Sequence, residues 1–173
     1  MTPAHHRHHR DPTYGATLRD QLEEFLDHHR QAMLDSLDGL TEEEARRRLV
    51  PSLTTLLGLV KHATFVERVW FDEAVTGRSR KEIGIPTTVD ASFTLTPQDT
   101  IESVRAAYAE ACAASRVAAA ALDIEDVVSG NRRGPLPMRW IYLHMLREIA
   151  QHCGHADILR EQVLAARDAP TNR

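Results

Sequence analysis

The sequence predicts an all-α fold, four long helices joined by two longer crossover connections, and three observations predict it. Apolar residues recur at helical spacing in four long stretches, with charged residues between them. Hydrophobic residues make up 42% of the chain but aromatic residues only 5%, so the interior must be built from Leu, Val, Ile and Ala. Hydroxyl caps precede the periodic stretches and glycines or prolines follow them. A chain of 173 residues supports one core of this kind rather than two.

Residues 1–15 carry four of the ten histidines and no apolar period, which predicts a disordered His-rich arm ahead of a helical domain over 16–173. Leu18, Leu22, Phe25, Leu26, Met33, Leu34 and Leu37 mark the first helix, ended by Gly39. Thr41 with Glu44 three residues on reads as a capping box opening a short helix to about Leu49, stopped by Pro51. Ser52 is the expected cap of the second long helix, whose broad apolar face runs from Leu53 through Trp70 to about Val75, before Gly77. Residues 78–96 show no helical period and read as a long connection crossing the bundle. Thr96-Pro97 opens the third helix, reaching about Leu122. A loop rich in Gly and Pro separates it from the fourth, about Met138 to Arg167.

Several function classes drop out on composition. The net charge is −4 with both signs mixed along the chain, so there is no basic stripe for nucleic acid. No run of about 18 apolar residues predicts a membrane span, and no apolar stretch follows the basic N-terminus, so a cytoplasmic location is expected. In that reducing compartment Cys112 and Cys153 read as free thiols. No phosphate loop, dinucleotide fingerprint or nucleophilic triad is present.

Chemistry concentrates in Arg139–His155. Steps of four residues turn ~400° on a helix, so His144, Glu148 and His152 form a slowly winding stripe, with His155 three residues further on. Glu148 and His152 can share one ion, and imidazole with carboxylate suits Zn²⁺, Ni²⁺, Fe²⁺ or Mn²⁺. A third ligand must come from another helix, and His62 sits among apolar residues of the second. Spacing alone leaves two readings open, a metal site and a hydrogen-bonded polar network. His144 and His155 read as groups orienting the ligands, as packing residues or as spare ligands. Cys153 is rotated ~100° from His152 and reads as a packed thiol. Trp70, Trp140, Tyr108 and Tyr142 read as core or pocket wall, His28 and His29 as surface.

The stretches PSLTTLLGLVKHATFVERVWF and RWIYLHMLREIAQHCGHADILRE, with DGLTEEEARRRLVPS and FTLTPQDTIESVRAAYAEACAASR, resemble a branch of the DinB superfamily related to the metal-binding domain of mycothiol-dependent maleylpyruvate isomerase. The resemblance runs from about Leu18 to Val163 and implies a DinB-like four-helix bundle. It also implies one divalent metal ion, zinc before nickel, iron or manganese, on His62, Glu148 and His152. A low-molecular-weight thiol of the mycothiol type as cosubstrate, a small-molecule electrophile and a homodimer follow from the same resemblance. Two functions are then expected: a metal-dependent thiol transferase or isomerase, or a non-catalytic metal-binding module in stress or partner binding. Three protein ligands with open positions would permit the first, and a closed set of four would argue for the second.

Overall fold

The computed structural model describes residues 12–168. Of the proposed arm, residues 1–11, including His5, His6, His8 and His9, lie outside the described residues, and Pro12–Gly15 form one turn of 3-10 helix. Four long helices follow: α1 (Leu18–Asp35), α3 (Leu56–Arg68), α7 (Ile101–Ala120) and α8 (Met138–Asp168). Between them stand short helices α2 (Glu42–Ala45), α4 (Ala74–Thr76), α5 (Arg80–Ile83) and α6 (Val89–Phe93), and a two-stranded antiparallel ribbon of β1 (Val127–Val128) and β2 (Leu136–Pro137). The expected all-α bundle of four long helices is thus the observed fold.

Helix α1 packs along α8 and α3 along α7, with α3 also against α8. Their apolar faces supply one core: Leu26 and Met33 from α1, Leu57 and Val60 from α3, Tyr108 from α7, Met145 and Ile149 from α8. Side chains such as Leu26 and Ile149 are wholly buried, each contributing about 1.5–3 kcal/mol. The charged interior pair Arg30 and Glu67 joins α1 to α3 through Nε–Oε1 at 2.8 Å and Nη2–Oε2 at 2.7 Å.

Local capping departs from the expected boundaries in two places. The second long helix is capped by Thr55, whose hydroxyl accepts from the Gly58 amide at 3.0 Å, because the Ser52 hydroxyl is engaged with Thr54. The third begins at a Thr100 cap paired with Ser103. Thr96 instead closes a separate turn onto the Asp99 carboxylate, through its amide at 2.6 Å and its hydroxyl at 2.8 Å. The second helix continues past Arg68 through one π-helical turn, Val69–Glu73, before α4 ends at Gly77 in the left-handed region. Residues 78–96, expected as plain connection, carry α5 and α6, each opened by a hydroxyl cap.

Two glycines position these accessory elements. A Cβ at Gly58 would lie 2.9 Å from Thr55 Oγ1 and 3.3 Å from the Phe93 carbonyl, so glycine lets α6 come down onto α3. A Cβ at Gly130 would collide with the Glu73 carbonyl; its absence lets the loop after β1 close on the end of the π-turn, where the Gly130 amide donates to the Ala74 carbonyl at 3.0 Å. The same loop serves α8: the Met138 and Arg139 amides, without partners inside their helix, donate to the Asp126 and Ile124 carbonyls at 2.9 and 2.8 Å.

Candidate metal centre

His62 on α3 and Glu148 and His152 on α8 converge where those helices pack, as their positions on the two apolar seams require. One ligand atom from each lies within 4.8 Å of the others. His152 Nε2 stands 3.4 Å and His62 Nε2 3.7 Å from Glu148 Oε1. The two rings meet edge to face with centroids 4.8 Å apart. No other group of three His, Cys, Asp or Glu with this geometry occurs among the described residues.

The protonation states suit a cation. His62 is buried, and its Nδ1 lies 2.7 Å from Ser92 Oγ on α6. The Ser92 hydroxyl donates to the Val89 carbonyl, so its oxygen accepts the imidazole Nδ1–H. Burial first, and His152 second, hold the His62 pKa below the ordinary imidazole value, against the pull of Glu148. The ring is therefore neutral near pH 7, with its Nε2 lone pair aimed at the carboxylate. The neighbouring imidazoles, His152 first and then His62, hold the Glu148 carboxyl well below the usual range. Two acceptors thus face each other across 3.7 Å, in the deprotonated states that metal ligands need. The Phe93 ring stacks on His62 at 4.0 Å and 13°, closing that side against water.

The other sequence-selected residues take different places. His144 is buried but makes no hydrogen bond to the triad; it stacks on Trp140 at 5.0 Å, meets the Trp70 edge at 4.5 Å, and accepts from Arg147 through Nδ1 at 3.0 Å. That donation leaves the ring proton on Nε2. His155 is exposed, its ring 5.6 Å from that of His152, with no hydrogen bond between them, and His152 Nδ1 is buried without a partner. Cys153 donates to the His29 carbonyl at 3.4 Å, and burial pushes its thiol up to about 11; burial likewise raises Cys112 to about 12. Both are packed thiols. His28 is exposed, His29 half-buried, and Tyr108 and Tyr142 belong to the core.

Beside the triad opens a cleft of about 260 Å³, lined by His62, Glu148, Trp70 and His144 and, on the loop after β1, by the exposed Arg132 and Arg133. Ser92, Arg132 and Arg133 were not singled out in the sequence. A signal for Ser92 was available in principle: a buried imidazole with one nitrogen on an ion needs a partner for the other.

The family model described as Mycothiol-S-transferase matches residues 21–165. Among solved structures, a conserved protein from Enterococcus faecalis superposes with a TM-score of 0.67 at 14% identity, over 87% of this chain and 99% of its own, a likeness of fold. A search of curated proteins finds no significant match.

Proposed function

The chain belongs to the mycothiol-S-transferase family, and on that premise we propose that it transfers a low-molecular-weight thiol of the mycothiol type to a small electrophile, with one divalent ion held by His62, Glu148 and His152. The observation that carries this reading is the triad itself: a neutral imidazole, fixed by Ser92, aims its lone pair at an ionised carboxylate, with a second imidazole alongside. Zinc is the first choice, with nickel, iron and manganese as alternatives, because two imidazoles and one carboxylate suit zinc in sites that keep a position open. The ion supplies Lewis acidity that favours the thiolate over the thiol at neutral pH.

The chain's own residues do the rest. Ser92 fixes the His62 tautomer, Phe93 shields that imidazole, and the triad opens on one side to the cleft where two reactants can meet. His144 is part of the cleft lining, and with its Nδ1 taken by Arg147 its ring proton sits on Nε2, a donor suited to negative charge developing on the electrophile. In the transfer the sulfur–carbon bond forms, the thiol proton passes to solvent, and the electrophile's electron pair moves onto its leaving group or acceptor atom.

The test is elemental analysis of the full chain with His5, His6, His8 and His9 replaced by Ala, followed by calorimetry of thiol binding in buffers of different ionisation enthalpy. One metal per chain and a proton released on thiol binding are expected. Equal thiol affinity in metal-free and metal-loaded protein would defeat the transferase reading in favour of a non-catalytic metal-binding module.

A further inference from the structure

The loop after β1 carries an unusual charge placement. Its conformation is closed internally: the Asn131 side chain donates to the Gly134 carbonyl at 3.0 Å and accepts from the Arg133 amide at 2.8 Å. Gly130 anchors it against the π-turn. Arg132 and Arg133 are thereby presented at the cleft beside the triad. Among the described residues neither has a carboxylate partner, whereas Arg80 in the same cleft is paired with Glu73 at 3.0 Å. The Arg133 guanidinium lies over the Trp140 ring at 5.7 Å, which orients it.

Charge in the cleft does not balance. Glu73 answers Arg80, and Glu148 is the one other carboxylate in the lining against Arg132 and Arg133, so one positive charge is in excess, and a bound divalent ion would add to it. Guanidinium donors form a planar fork matched to carboxylate geometry, and both side chains are exposed to an incoming anion.

We infer that Arg132 and Arg133 form a carboxylate-binding subsite, which holds the anionic group of the electrophilic substrate while its reactive carbon lies toward His62 and Glu148. The inference rests on the thiol-transfer reading and specifies its substrate class: a small electrophile bearing a carboxylate. The aromatic rings of Trp70 and His144 in the lining suit an unsaturated or aromatic body between the two ends.

Both tryptophans of the chain stand here, Trp70 in the cleft wall and Trp140 at 5.4 Å from it, so quenching of intrinsic fluorescence reads this site. The probes are 4-chloro-3-nitrobenzoate and its neutral amide, titrated into the full chain with and without EDTA. The wild type is expected to bind the carboxylate about tenfold more tightly than the amide in both conditions, a preference weakening with added salt. The double variant Arg132→Gln/Arg133→Gln should lose the preference while binding the amide as before, and Arg132→Lys/Arg133→Lys should keep part of it. No preference in the metal-free wild type, or an undiminished one in the Gln variant, would overturn the subsite. The EDTA arm needs no ion, so the subsite is judged separately from the metal reading, which stands or falls on elemental analysis.

Discussion

Two clusters of charge are held between the long helices, and they are built differently. Arg30 and Glu67 answer each other through two short hydrogen bonds, Arg30 reaches Asp27 at 2.8 Å, and Glu67 is wholly buried. His152 and His62 stand 3.4 and 3.7 Å from Glu148, with the His62 lone pair facing the carboxylate, and Glu148 remains partly open to a cleft. A polar cluster that satisfies itself serves the fold, while one that leaves lone pairs converging on one point, with a way in, is arranged for a ligand. Residue type does not separate them, since each contains a glutamate facing nitrogen; the completeness of the hydrogen bonding does.

Removing one partner of the closed cluster should have the largest effect on folding. Glu67→Ala leaves the Arg30 guanidinium buried beside Asp27 alone and should cost about 3–5 kcal/mol in chemical denaturation, with metal content per folded chain unchanged. A loss below about 1 kcal/mol would mean that water or Asp27 replaces the pair, and the contrast between the clusters would fail. At the open cluster the outcome should reverse. Glu148→Ala should abolish stoichiometric metal in the chain lacking His5, His6, His8 and His9, yet keep its helical circular-dichroism signal, because apolar packing holds the bundle. Full metal content in that variant would remove Glu148 from the site.

How far the sequence reaches follows the same division. Helix periodicity made the four long helices legible, and the four-residue step on α8 brought out Glu148 and His152. His62 needed the resemblance, because spacing alone left a lone histidine on an apolar helix equally suited to a satisfied network. The accessory elements were not legible for a physical reason: α5 and α6 have only four and five residues, too short for a period to show. Their signal is the cap, and Ser79 with Glu82 three residues on forms a capping box in a stretch that reads as loop. Missing α6 meant missing Ser92, and missing the ribbon meant missing the placement of Arg132 and Arg133.

Ser92 gives a finer cut between structure and site. Ser92→Ala takes the acceptor from the His62 Nδ1–H without touching a ligand atom. Metal affinity should fall about 10–100-fold in competition with a chelator, while stoichiometry at saturating metal stays at that of the wild type. An unchanged affinity would show that stacking on Phe93, rather than the hydrogen bond, holds the imidazole.

The smallest effect is expected where a closed pair lies at the edge of the bundle. Arg167 grips Glu44 through Nε at 2.6 Å and Nη2 at 2.7 Å, tying α8 to the short α2, and this pairing above all holds the Glu44 carboxyl down to about 2. The folded pKa lies below the unfolded value of about 4.3. The stabilisation is therefore complete above that value and is lost as pH falls from there toward 2. Glu44→Gln keeps the side-chain carbonyl that answers the Thr41 amide in the capping box, so it removes the charge and spares the cap. The Tm of this variant should lie below that of the wild type at pH 6, the difference closing as both are acidified to about pH 2. A difference that persists undiminished at low pH would mean that the contact acts through packing of the Arg167 stem rather than through charge, and the pair would no longer count with Arg30 and Glu67 as an electrostatically closed cluster.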